Sequence, residues 1–394
     1  MTRRIAAVGI VCLVLAGGLA AGAGEDDGSL SLEPNAEQTA PEISADFASP
    51  QKQLEDCLPL TCRPCPRVYG YAEALFLQRD NASNDQPVIV TLDLDGNIEQ
   101  TFLATSDLDF DFDPAVRVVA GHRLGQAWAI EGSYLGLFES ASFAFTAASA
   151  EDIDLTFPRE LGYVSNVFSD IGQARLDYWS ALHSGELNLV HCRGCCEPCE
   201  KGHDGRCGAK AGDCRQSCGT VEWLAGFRYL HLQETFNIYA ERQQTTPGPT
   251  DTESGNYNVR THNDLYGAHL GARVRRWGPR LGWEAVGKAG LFGNGVQQEQ
   301  YVLDWAEGGS FPRRPLTSAA SGQVAFVGEL NLTGIYRLTD VWSLRAGYNL
   351  LWVAGVALAP DQLDFTYLPT SGSDIRSDGT LFLHGVSGGL EARW

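Results

Sequence analysis

The chain has 394 residues, 49 of them acidic and 29 basic, for a net charge of −20; this argues against nucleic acid as a partner and against a polybasic lipid-surface anchor. Forty-four glycines and nine tryptophans, with a mean hydropathy of −0.16, fit a β-rich membrane protein in which half of each strand is polar. Beyond residue 23 no stretch reaches the roughly 18 consecutive apolar residues of a membrane helix, so any passage through a bilayer is expected as strands.

Thr2-Arg3-Arg4, the apolar run Ile5 to Ala23 and the small residues Ala21-Gly22-Ala23 read as a secretory signal peptide over residues 1–23. Cys12 follows Val11, not the small residue of a lipoprotein site. The expectation is an exported bacterial protein in a compartment that permits disulfides. Residues 24–66 are acidic, then Cys- and Pro-bearing, without a period, and read as a disordered periplasmic tail.

Strand signals then recur from 67 to 394. Val68 to Gln78 is a strand whose facing the pattern leaves open. Ala115 to Gly125 and Ala127 to Phe138 flank a short turn, with Trp128, Ile130, Tyr134 and Phe138 opposed to Glu131. Gly172 to Val190 sets Trp179, Ala181, Leu187 and Leu189 against Ser180, Ser184, Glu186 and Asn188. Val221 to Leu232 sets Trp223 and Phe227 against Glu222 and Arg228. Asp264 to Arg276 sets Tyr266 and Leu270 against His269, Arg273 and Arg275. Leu281 to Leu291 opposes Trp283 to Glu284 and Lys288. Gln323 to Trp352 is a long hairpin turning at Leu338-Thr339-Asp340, with Glu329 and Arg345 on its polar face and Trp342 and Trp352 ending its apolar one. Leu381 to Trp394 closes the chain, with Glu391 and Arg393 opposed to Phe382, Val386, Leu390 and Trp394.

Period two places alternate side chains on opposite faces, and apolar faces bounded by aromatics with polar opposite faces are the pattern of a transmembrane barrel. The fold class is therefore all-β, an antiparallel up-and-down barrel of about ten strands with a disordered N-terminal tail. Short connections alternate with long polar ones near 80–113, 139–170, 235–259, 293–320 and 353–380; this parity leaves both termini in the periplasm. The expected partners are outer-membrane lipid and, through the aromatic-terminated last strand, the barrel-assembly machinery.

VYGYAEALFLQRDN at 68–81, WLAGFRYLHLQETFNI at 223–238, NDLYGAHLGARV at 263–274, VGKAGLFGN at 286–294, YRLTDVWSLRAGYNLLWVAGVALAPDQL at 336–363 and LHGVSGGLEARW at 383–394 resemble a family of bacterial outer-membrane β-barrel proteins, found mainly in planctomycetes, whose function is not established. The resemblance covers most of the chain after Val68. It implies a barrel in the outer membrane and implies no activity.

Candidate chemistry is sparse. Asp93-Leu94-Asp95-Gly96-Asn97 and Asp107 to Asp113 suggest calcium, but the glycine falls at the wrong place for an EF-type loop, and solvated loop acid is the better reading. His262 with Asp264, and His384 with Ser387, are the histidines to weigh for a hydrolase at the rim. Parity puts His262, Asp264 and His384 on the lipid side and Ser387 opposite His384, so no base meets a nucleophile. Catalytic, cofactor and metal residues are assigned to none. The inward set, Glu131, Glu186, Glu222, Arg228, Arg273, Arg275, Glu284, Lys288, Glu329, Arg345, Glu391 and Arg393, is mixed in sign and is expected to pair within a narrow or closed lumen. A structural or surface-interaction role without catalysis is expected ahead of a small-solute channel, and that ahead of a rim hydrolase.

The connection from Cys192 to Gly219 should by parity be a short periplasmic turn, yet its 28 residues hold Cys192, Cys195, Cys196, Cys199, Cys207, Cys214 and Cys218. Cys57, Cys62 and Cys65 lie in the tail on the same side. The spacing with His203 is also compatible with zinc or an iron–sulfur cluster; an oxidising periplasm favours disulfides. Seven and three are both odd, so complete pairing within one chain joins tail to turn at least once. Non-reducing peptide mapping after thiol blocking should recover tail peptides bonded to peptides from 192–218. Ten free thiols, or stoichiometric metal released by acid, would decide for the metal reading.

Overall fold

The computed structural model describes residues 66–81, 83–125, 127–148, 154–193, 218–242, 253–278, 280–306 and 309–394. The segment read as a signal peptide, nearly all of the tail and most of the cysteine-rich insertion lie outside these residues.

The first strand, β1 (Val68–Arg79), is followed by a two-stranded hairpin, β2 (Pro87–Leu92) and β3 (Ile98–Ala104). Nine further strands follow: β4 (Phe112–Arg123), β5 (Trp128–Ala147), β6 (Ile171–Arg193), β7 (Cys218–Arg242), β8 (Ser254–Trp277), β9 (Leu281–Ala306), β10 (Gly309–Arg337), β11 (Trp342–Val356) and β12 (Gly379–Arg393). All but β2 and β3 form one closed barrel in which each strand pairs antiparallel with its chain neighbour and β12 returns to β1. That makes the expected ten. The seam runs from Tyr69↔Arg393 to Arg79↔Leu383 and is fastened at its end by reciprocal bonds, Val68 N to Trp394 O at 2.9 Å and Trp394 N to Val68 O at 3.0 Å. Closure leaves no edge for unpaired peptide groups in lipid.

Turn chemistry explains the short connections. Gly125 takes φ 141° between β4 and β5, a conformation open to glycine and costly for residues with a Cβ. At the β10–β11 turn the Thr339 hydroxyl accepts from the backbone N–H of Val341 and Trp342. The outward faces between turns and loops are apolar and exposed, among them Phe76, Val118, Leu187, Leu270, Leu291 and Phe326. Trp128, Trp223, Trp283, Trp342 and Trp394 ring the turn end, each more than a third exposed. Such a belt, with its aromatic girdle, matches a lipid-facing band and not the surface of a soluble sandwich.

Two of the expected long loops are not loops. Residues 293–320 are almost wholly strand, with β9 and β10 paired from Tyr336↔Leu281 out to Gly309↔Ala306, and much of 235–259 extends β7 and β8. Strands β5 to β10 thus rise past the apolar band as a wall. Against its inner face pack the β2–β3 hairpin, the β5–β6 connection with its helical turn α1 (Asn166–Ser169), and the β11–β12 connection. The facing of β1, undecided from sequence, is settled: Tyr69, Glu73, Leu75, Leu77 and Arg79 point in.

Candidate functional site: the lumen

The interior is stratified. At the turn end Tyr69, Ala129, Val190 and Leu224 form a small apolar floor. Above it lies a layer of buried charge. Arg345 is held by Glu73 at 2.8 Å, Glu284 at 2.8 Å and Glu391 at 3.0 Å. Arg273 meets Glu131 at 2.8 Å and Glu222 at 2.9 Å. Arg228 bridges Glu186 and Glu329, both at 2.9 Å, and Lys288 reaches Glu186 at 2.6 Å. Arg275 pairs with Glu284 and with Glu391. Removing two charges from water costs more than one contact returns, so buried ions persist when each has several partners and satisfied hydrogen bonds. Tyr69 Oη donates to Glu131, and His269 Nε2 bonds Asn188. A cavity between Arg117, Glu186, Arg228 and Lys288 measures about 10 Å³, at or below the room one water needs.

The twelve inward charges read from sequence all belong to this interior: eleven have a place in the ion pairs just described, Glu222 also meeting Arg123, and the twelfth, Arg393, makes a short bond to Glu391. Sequence reading missed Glu73 and Arg117. Arg117 contacts Glu329 at 3.4 Å, Glu73 at 3.5 Å and Asn349 Oδ1 at 2.7 Å. The available signal was parity: Glu73 and Arg79 share odd positions in β1, which marks the inward face.

On the loop side of the charges the lumen turns apolar. Leu75, Leu135, Leu182, Leu230, Phe292 and Leu351 form part of a cluster whose members are all at most 5% exposed. A second polar level follows, where Glu234 accepts from Tyr178 Oη and Ala359 N and pairs with Arg79 at 2.6 Å. Gly355, at φ 82°, breaks the register of β11 one residue before its end, where the chain turns inward. Ala357 is then clamped by Asn263, which accepts from its N–H at 2.8 Å and donates to its carbonyl at 2.9 Å. The mouth is covered by an apolar cap that joins Val88, Phe110, Phe157, Phe168, Tyr257 and Phe365.

The remaining candidates fall outside the lumen or are spent. Asp93 accepts from the N–H of Asp95 and Asn97 at a hairpin tip, and Asp107 accepts from Ala104 N. His262, Asp264 and His384 point outward and Ser387 inward. Asp264 bonds His231 Nδ1 at 2.8 Å and Tyr229 Oη at 2.7 Å, neighbours the sequence reading did not connect. Cys192 is buried at the end of β6 and Cys218 opens β7; Cys57, Cys62, Cys65, Cys195, Cys196, Cys199, Cys207 and Cys214 lie outside the described residues.

Residues 69–394 match the family model described as "Putative beta barrel porin-7 (BBP7)". No curated protein matches. Among solved structures, the outer membrane protease OmpT from Escherichia coli is 8% identical at a TM-score of 0.43, over 83% of this chain and 96% of that one. A Pseudomonas aeruginosa FadL homologue is 10% identical at 0.21, over 83% and 89%. The CymD monoaromatic hydrocarbon channel is 7% identical at 0.21, over 88% and 93%.

Two substitutions probe these layers. Arg345→Ala strands three buried carboxylates and should cost about 3–5 kcal/mol, read as a lower urea midpoint in detergent; an unchanged midpoint would show the layer to be hydrated. Asp361, buried in the β11–β12 connection, accepts from Asn84 N at 2.8 Å. Burial lifts its carboxyl above the ordinary range, against the Asn84 bond, and Glu234 and Asp378 push the same way. A raised carboxyl stabilises the fold fully below about pH 4 and less as pH climbs through its folded pKa. Asp361→Asn keeps the acceptor and removes the charge. Limited proteolysis of the cap should therefore be as slow or slower in the variant at pH 7, with a flatter dependence toward acid; faster cleavage at pH 7 would contradict this account.

Proposed function

The chain belongs to the beta barrel porin-7 family, an outer-membrane β-barrel family, and from that premise we propose a non-enzymatic, non-conducting barrel with a structural or surface-interaction role, its loop end facing outward. One observation carries the reading: a continuous apolar layer, including Leu75, Leu182, Leu230 and Leu351, lies across the lumen on top of fully paired charge. An ion crossing the barrel would have to displace close-packed aliphatic side chains and leave its hydration, which a low-dielectric interior opposes. Ten strands lie nearer the filled eight-stranded barrels than the roughly 16-stranded porins that hold aqueous channels.

The functional surface on this reading is the outer wall and cap. The cap exposes Leu94, Tyr163, Tyr367 and Leu368 among acids such as Asp95 and Asp374. Planar-bilayer recording tests the reading. Purified wild type should give no steady unitary steps, and a variant lacking residues 361–375 should also stay silent, because the apolar and charged layers lie below that connection. Large stable steps from wild type would favour the small-solute channel instead.

A further inference from the structure

The barrel's outward face is interrupted by a hollow of about 630 Å³ on strands β4 to β7. Register places its residues in two adjacent rows. One runs Gly132↔Leu187↔Phe227, the next Tyr134↔Gly185↔Tyr229. The floor is glycine. A Cβ on Gly185 would meet nothing within 4 Å, and one on Gly132 only the Glu186 carbonyl at 4.0 Å, so packing within the chain does not explain why either lacks a side chain.

The row on the loop side changes character: Gly136↔His183↔His231↔Asp264. Both tyrosines of the hollow lean toward it. Tyr134 Oη shares a 2.9 Å hydrogen bond with His183 Nδ1, and Tyr229 Oη donates to Asp264, which also bonds His231 Nδ1. Gly136 permits this, because a Cβ there would sit 2.7 Å from the Tyr134 oxygen. The hydroxyls are thereby drawn out of the hollow, whose walls present ring faces and aliphatic carbon. Among the described residues, Nε2 of His183 and of His231 has no hydrogen-bond partner.

We propose that this is a lipid site, with an acyl chain in the glycine-floored hollow and a phosphate-bearing head group at the His183–His231 pair; it rests on the membrane location read above. Two features select this occupant. The hollow lies in the apolar band and runs directly into a polar row on its loop side, so its chemistry changes along its length as that of a lipid does. A second copy related by a two-fold axis through the hollow would set hollow against hollow and fill neither.

Native mass spectrometry of delipidated, detergent-solubilised barrel, titrated with dioleoyl phosphatidic acid, tests the proposal. One lipid should bind per chain. Dioleoylglycerol, which lacks the phosphate, should bind about tenfold more weakly, the worth of one hydrogen bond to a charged group. Gly132→Leu with Gly185→Leu fills the hollow and should weaken phosphatidic acid by at least about tenfold, as loss of an apolar seat implies. His183→Ala with His231→Ala should remove the preference for phosphate. Equal binding by the leucine variant, full competition by inorganic phosphate alone, or a dimer abolished by the leucine pair would each overturn the site. Heat-modifiable migration of every variant reports folding separately, so failure to form a membrane barrel is distinguished from failure of the hollow to bind.

Discussion

Closing a sheet of ten strands creates an interior that side chains must fill, and in this barrel the filling begins with ions that cannot stand alone. Each inward guanidinium of the central layer meets two or three carboxylates contributed by different strands; Arg345 on β11 joins Glu73 on β1, Glu284 on β9 and Glu391 on β12. These pairs reach across the lumen as well as along it. Arg273 and Glu131 belong to strands on different parts of the ring. Because an unmatched buried charge costs far more than a matched pair gains, the layer fixes which faces point inward. A slip of one residue in any of these strands would send its charges into lipid and its aliphatics into the ion layer.

The strata above depend on that alignment. With the charges level, inward positions further along the same strands, such as Leu75 on β1 and Leu351 on β11, fall into one apolar band. The positions beyond supply the polar clamps that hold the β11–β12 connection in the mouth. Sealing is thus a consequence of register and does not require a separate plug domain.

Much of this was legible because a lipid-facing strand and a charged lumen oppose each other with period two. Strand number, facing in eight strands and the mixed inward charges all followed from residues such as Trp128 opposed to Glu131. The reading stopped where the lumen itself is apolar. In β1, Ala74 and Phe76 face out while Leu75 and Leu77 face in, so hydropathy carries no alternation and only the shared parity of Glu73 and Arg79 marks the inner side. It also stopped above the membrane. Gln298 and Gln300 look like loop residues, yet they are buried and donate to the Gly372 carbonyl. Polar side chains paired with a folded connection look, in sequence, like polar side chains facing water. The His231–Asp264–Tyr229 contacts were invisible for a third reason, since they depend on register between strands.

The cap has a kinetic meaning as well. Its apolar cluster draws Val88 and Phe110 from near the start of the described chain, Phe157 and Phe168 from the middle, and Leu363 and Phe365 from just before the last strand. No hairpin contains enough of it to form alone. The contacts span nearly 280 residues, as between Asn84 and Asp361, and long closures are slow because chain entropy is lost before contact energy is gained. The cap therefore cannot mature before the β11–β12 connection has been made and has reached the hairpin beside β1, and a chain stalled short of that contact would hold an open mouth with its aromatic lining unburied.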